Sequence, residues 1–368
     1  MYRKTWMEID LDALEYNIRM AKEISGKELI AVVKADGYGM GDLEVVNSAL
    51  CCGASMMAVS SCDEALILRN KGYEGELLIL GHTDPDELPM LAEKGVAVPA
   101  YSSSWVSGAL QQNCSGLKVH MKVDTGMNRI GFHDSNELNQ AIQALKQHGC
   151  EVEGIFTHFA CADTDESMTA RQLERFKTLC ESTGHTFRWI HCDNSEATLT
   201  LRESFSNACR FGIGMYGITA SNEVKLKSPV SMYSTLVYVK QLPAGETIGY
   251  GATYETTESE WIGTIPVGYA DGLIRMNQGR HLYIDGEYVP IVGRVCMDQT
   301  MVRLPRQMKE GSVVELFGSH LPIETMAEEL VTIPYEIFCL ISERVTRIYT
   351  RSGVPVSERN MRMEDSTL

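Results

Sequence analysis

The stretch AVVKADGYG, from Ala31 to Gly39, decides how the rest of the chain is read. Ala31-Val32-Val33 is a small and β-branched run without polar alternation, the pattern of a strand buried on both faces. The run ends on Lys34, and Asp36, Gly37 and Gly39 then mark a turn around Tyr38. A lysine in that place is either a snorkelling surface charge or an amine held at the mouth of a barrel.

Moving outward, seven more apolar runs follow, beginning with MMAVSS (56–61), LLILGH (77–82) and VAVPAY (96–101). LKVHMKVD (117–124), GIFTHF (154–159), FRWIHCDN (187–194) and CRFGIGMYG (209–217) complete the set. Helix-like segments such as DEALILRNKG, SNELNQAIQALKQHG and TARQLERFKTLCESTG lie between them. Several start on Asp or Ser and stop at Gly, as helix ends require. Eight strands, seven intervening helices and a leading helix near residues 10–25 predict a (β/α)8 TIM barrel, with a doubly wound open sheet as the rival. After SNEVKLKSP the texture becomes β-branched runs broken by Gly and Pro, and IDGEYV reads as a hairpin. The expected division is a barrel over residues 8–228 and a mostly β domain over 229–368, with residues 1–7 left able to pack with the second.

Thirty-three basic against forty-nine acidic residues give a net charge of −16, which disfavours nucleic acid or an anionic membrane as partner. No stretch approaches the length of an apolar membrane span, and the start turns acidic too early for a secretory signal. Eleven cysteines without C-x-x-C spacing read as reduced thiols of a cytoplasmic enzyme, with no metal site signalled.

A β/α barrel works at the C-terminal ends of its strands. This chain sets Lys34, Lys122, Asp124, His158, Asn194, Ser195, Arg210 and Gly212 there. Singly, each has an ordinary reading: a solvated lysine, a core histidine, an N-cap serine, an arginine paired with a helix cap. Together they have a chemical logic. An amine, a serine and glycine cluster that can hold a phosphate, and an arginine match the needs of a phosphorylated aldehyde cofactor.

The motifs then become specific. AVVKADGYG resembles the pyridoxal-phosphate lysine motif of the bacterial alanine racemase family. KVDTGMNRIG (122–131), THF (157–159), DNSEA (193–197) and RFGIGMYG (210–217) resemble further motifs of that family in the expected order, as do IGYGATY, IPVGYADG, GRVCMDQ and TIPYE in the β domain. The resemblance covers essentially the whole chain. It implies that Lys34 carries pyridoxal 5'-phosphate as a Schiff base and serves as base on one face of the substrate Cα, with Tyr250 as base on the other. Arg210 would face the pyridine nitrogen, and His158 would bridge toward Arg210 and Tyr250. Tyr38, Ser195, Gly212, Ile213 and Tyr335 would contact the phosphate. Arg129 and the Met297 backbone would receive the substrate carboxylate, Lys122 corresponds to a lysine that some relatives carry as a carbamate, and Tyr269 and Asp298 would line the entrance.

The same resemblance implies a head-to-tail homodimer with sites shared between chains, and interconversion of L- and D-alanine for peptidoglycan synthesis. Met40, Phe211 and Asn128 depart from the family's usual residues without removing a charged role. A serine or broader racemase is the nearest alternative. A barrel-type decarboxylase would set a carboxylate where Arg210 stands, although the cysteine of VCMD fits one, and a non-catalytic pyridoxal-phosphate carrier would need no Tyr250.

Overall fold

The computed structural model describes residues 3–201 and 205–360 and divides into two compact units. One contains Leu14–Gly37 and Gly41–Lys227; the other is built from the residues up to Ala13, Tyr38–Met40 and those from Ser228 onward. Strand β1 (Thr5–Asp10) belongs to the second unit, and helix α1 (Leu11–Ser25) leads from it into the first.

The first unit is a closed, all-parallel barrel of β2 (Glu28–Val32), β3 (Met56–Val59), β4 (Leu77–Ile79), β5 (Val96–Ala100), β6 (Lys118–Lys122), β7 (Glu151–Phe156), β8 (Trp189–His191) and β9 (Ala208–Phe211). Pairing of Ile30 with Arg210 joins the first strand to the last, which excludes the open sheet. All of β3, β4 and β5 is buried, as strands covered on both faces require. Helix starts follow capping chemistry. Ser61 accepts from the Glu64 N–H ahead of α2 (Cys62–Asn70), and Asp134 accepts from Asn136 and Glu137 ahead of α3 (Ser135–Gln147). In α3 the buried residues Leu138, Ala141, Ile142 and Leu145 fall at helical spacing, one stripe turned inward.

The second unit is built on a ten-stranded sheet. Its strands are β1, β10 (Val230–Thr235), β11 (Tyr238–Leu242), β14 (Glu260–Ile265), β15 (His281–Ile284), β16 (Glu287–Val292), β17 (Thr300–Leu304), β18 (Val313–Phe317), β19 (Thr346–Arg351) and β20 (Val354–Arg359); β12 (Thr247–Ile248) and β13 (Tyr254–Glu255) pair separately. β1 runs antiparallel to β10 and parallel to β19, so Met7 lies between Met232 and Arg347. The expected hairpin joins β15 to β16, with Asp285 at φ 46° and Gly286 at φ 89° supplying the two left-handed positions of a tight turn. All eleven cysteines are free thiols. Among the described residues no helix is long and apolar enough to cross a membrane.

Candidate active site

The backbone after Lys34 turns the wrong way for an L-peptide. Ala35, Asp36, Gly37, Tyr38 and Gly39 have φ of 53°, 53°, 61°, 58° and 84°, a left-handed turn of five successive residues. Each non-glycine residue there costs about 1–2 kcal/mol, so neighbours must hold it. They do so from several elements. In the barrel unit Glu64 accepts from the Ala35 N–H at 2.8 Å and the Tyr216 hydroxyl donates to the Gly37 carbonyl at 2.6 Å. In the β unit Arg347 Nε donates to the Gly39 carbonyl at 3.0 Å and the Tyr349 hydroxyl to the Met40 carbonyl at 2.7 Å. The chain beyond Lys34 is thereby over-determined in both directions.

Arg210 lies inside β9, buried, and its guanidinium is wrapped by acceptors. Nη1 donates to His191 Nδ1 at 2.8 Å and to the His191 carbonyl at 2.7 Å. Nη2 reaches the Thr157 carbonyl at 2.7 Å, His158 Nδ1 at 3.1 Å and the Cys192 carbonyl at 3.1 Å. Only its Nε–H lacks a partner among the described residues. Burial brings Arg210 down to about 10, which still leaves it protonated at neutral pH. Because a guanidinium only donates, His158 must accept at Nδ1 and carry its proton on Nε2. Burial, then the charges of Arg210, Arg129, Lys122 and Lys34, hold His158 well below the usual histidine range. Arg210, Arg129, Lys122 and Lys34 thus all lie close enough to His158 to act on its charge.

Lys122 ends β6 buried, its Nζ donating to the Val123 carbonyl at 2.8 Å. Burial, followed by Arg210, pushes its amine down to about 7. Asp124 goes the other way: burial raises it, but the N–H groups of Gly126, Asn128 and Arg129 outweigh that and hold the carboxyl low. Asn128 has φ 58°, a conformation asparagine tolerates better than most residues. Arg129 is exposed on the wall of a cavity of about 300 Å³ shared with Tyr101, Asp124 and His133.

Ser195 opens α4 (Ser195–Thr200), whose N-cap is Asn194 rather than Ser195 itself. The Ser195 hydroxyl accepts from the N–H groups of Gly212 and Gly214, at 3.0 and 3.2 Å. In the β unit Tyr38 and Tyr335 stand with ring centroids 6.3 Å apart. Tyr250, Met297 and Asp298 line one open groove of about 700 Å³. The carbonyl of Met297 accepts from Ala270, Tyr269 donates its N–H to Cys296, and Asp298 pairs with Arg344 at 2.6 Å.

Two further residues stand beside this set: His120 and His191, buried on β6 and β8, escape a reading confined to strand ends. The signal for one of them is Lys118-His120-Lys122, polar side chains at period two on one face of β6.

The family model for the alanine racemase N-terminal domain matches residues 9–220, and that for the C-terminal domain matches 229–349. The chain belongs to the alanine racemase family. It is 42% identical to an alanine racemase of Anoxybacillus flavithermus, with 98% of each chain covered, and 40% identical to alanine racemase 1 of Bacillus subtilis, covering 98% of this chain and 96% of that one. The crystal structure of an alanine racemase from Bacillus anthracis with bound L-Ala-P superposes with a TM-score of 0.94 at 38% identity, 99% of each chain being covered. A histidine racemase from Leuconostoc mesenteroides gives 0.88 at 28% identity, over 95% of this chain and 98% of that one. The family is one of pyridoxal-phosphate-dependent isomerases.

Proposed function

We propose that this chain interconverts L- and D-alanine, with Lys34 and Tyr250 exchanging the α-proton on opposite faces of the amino acid. The observation that carries the reading is the state of Arg210, fully tied at both Nη atoms with one N–H left to donate. A ring nitrogen facing that group gains a hydrogen bond and no proton, because the guanidinium holds on to its own. A decarboxylase would instead need a carboxylate there to keep such a nitrogen protonated.

The residues fit the family's cofactor. The Ser195 hydroxyl already gathers the Gly212 and Gly214 N–H groups, and Ile213 opens the 3-10 turn beside it, a cup suited to a phosphate; the family resemblance adds Tyr38 and Tyr335 as phosphate contacts. Bound there, pyridoxal phosphate supplies an aldehyde carbon for an amine and draws electrons from the adjoining Cα. Lys34 is the amine the strained turn holds in place. Arg129 and the Met297 N–H take the substrate carboxylate and fix its orientation.

Lys122 adds a specific possibility for Arg129. An amine at about 7 is substantially free base at neutral pH, the form that captures carbon dioxide. The resulting carbamate would turn a repulsive neighbour of Arg129 into an attractive one. Tyr250, Tyr269, Met297 and Asp298 come from the β unit, and the strong exposure of Tyr250 supports their serving a second copy of the chain in a head-to-tail homodimer. Free thiols throughout support a cytoplasmic location. The likeness to a histidine racemase keeps a broader substrate range as the second reading.

The test is a panel of L-amino acids incubated in D2O with the purified enzyme, followed for deuterium at Cα and for the D-enantiomer. Alanine should exchange fastest and yield D-alanine. Exchange without the D-product, or release of carbon dioxide, would overturn the assignment.

A further inference from the structure

The interior of a β/α barrel is ordinarily filled by branched apolar side chains. This one carries a polar column instead. His191 Nε2 lies 2.9 Å from His120 Nδ1, and both rings are fully buried. β6 and β8 are separated by β7, so the bond passes over β7, beside Gly154. Above it His191 Nδ1 meets Arg210; below it His120 Nε2 lies 3.5 Å from Glu153 Oε1, and neither of those two atoms has a hydrogen-bond partner among the described residues. Glu153 in turn reaches Arg188, which with Lys118 brackets Glu76 at the N-terminal ends of the strands.

The direction of every proton in the column follows from its upper end. Arg210 has no lone pair to offer, so His191 must accept at Nδ1. The neutral ring then carries its one proton on Nε2 and donates it to His120 Nδ1. A bond in the opposite sense would leave His191 with no proton at all. His120 therefore holds its own proton on Nε2, aimed at Glu153. Burial is the main force keeping both rings neutral: it lowers His120 and His191 alike, with Arg210 adding to the effect on His191, while Glu153 and Glu76 pull His120 upward and Lys118 downward.

The rings are also fixed mechanically. A Cβ on Gly154 would come within 2.3–2.6 Å of the His120 ring, so only glycine on β7 leaves room for it. Phe156 stacks on His191 with centroids 4.8 Å apart and planes 5° from parallel. We infer that His191 and His120 form a one-way hydrogen-bond relay that starts at Arg210 and ends on His120 Nε2, 3.5 Å short of Glu153, and that they are positioning residues which fix the guanidinium and leave its Nε–H unused among the described residues. What that N–H meets rests on the function proposed above; the relay itself does not.

Neutron diffraction from deuterium-exchanged crystals of the wild-type holoenzyme at neutral pH tests this without any substitution. Deuterium should appear on Nε2 of both His191 and His120 and be absent from Nδ1 of each. Deuterium on His191 Nδ1, or on both nitrogens of either ring, overturns the relay. In kinetics, His191→Leu should lower kcat about a hundredfold with KM for the amino acid little changed, since a small misorientation of a positioned group has that scale. His191→Asn, whose amide oxygen can accept where Nδ1 does, should recover most of the loss. Equal rates for the two variants would overturn the positioning role. A correct proton pattern in an enzyme that racemises nothing would instead refute the proposed function and leave the relay standing.

Discussion

The barrel unit holds its charged groups out of water: Lys122 is 3% exposed and Arg210 4%, and the two histidines between Arg210 and Glu153 are fully covered. The β unit does the reverse with its functional candidates, leaving Tyr250 73% and Met297 52% exposed. Buried charges persist only where bonds and shape fix them, a constraint that exposed side chains escape. The contrast separates two tasks. The barrel unit holds a cation and a strained lysine segment in one state; the β unit leaves the Tyr250 and Met297 side chains open.

The sharpest way to break that contrast is to separate the two tasks between chains. Lys34→Ala and Tyr250→Phe should each abolish nearly all racemisation as pure proteins. If sites are shared in a two-fold dimer, exchange of subunits between them creates one intact and one doubly altered site per mixed dimer. Equal mixing should then restore about a quarter of wild-type activity, half the dimers being mixed and half of their sites intact. Activity assayed after subunit exchange decides it, and no recovery in demonstrated mixed dimers would refute site sharing.

A smaller effect lies wholly inside the barrel. Lys122 falls from 10.5 to about 7 chiefly because burial disfavours its charge. The sign follows from proton counts. Between pH 7 and about 10.5 the unfolded chain binds a proton at this amine that the folded chain does not, so stability rises with pH across that window. Below pH 7 both states are protonated and the full cost, on the order of 5 kcal/mol, is present. In buffer free of carbon dioxide the thermal midpoint of wild type, relative to Lys122→Met, should therefore climb from pH 7 toward pH 10. Added bicarbonate should raise the wild-type midpoint at pH 7 and flatten the climb, because a carbamate no longer titrates as an amine. A curve indifferent to bicarbonate would refute the carbamate.

The fold is legible in the sequence because eight apolar runs of similar length, alternating with capped helices, admit few architectures. Lys34, His158 and Arg210 stand out for a related reason: each is a polar side chain on or just beyond an apolar run, where barrel chemistry gathers. His120 and His191 are polar within such runs, and nothing local says that two strands apart they will meet. The left-handed turn is equally hidden. Ala35 and Tyr38 carry no signal for positive φ and Asp36 only a weak one; bonds from Glu64, Tyr216, Arg347 and Tyr349, remote in sequence, impose it. The place of β1 in the second sheet is set by β10 and β19, far along the chain.

Two glycines, one from each unit, refine the comparison at the smallest scale. Gly26, in the barrel unit, has φ 62° and open space where a Cβ would go; Gly39, in the β unit, has φ 84° and the Phe338 carbonyl oxygen 2.7 Å from that position. Both substitutions to alanine incur the left-handed penalty of about 1–2 kcal/mol. Only Gly39→Ala adds a clash with backbone, which cannot rotate away and costs about 1–3 kcal/mol more. Denaturation midpoints should therefore drop modestly for Gly26→Ala and clearly further for Gly39→Ala. The second variant should also lose affinity for pyridoxal phosphate, because the Gly39 carbonyl anchors the turn that follows Lys34 through Arg347. Equal destabilisation of the two, with cofactor affinity unchanged, would mean that the turn yields easily and that the rigidity assigned to the lysine segment lies elsewhere.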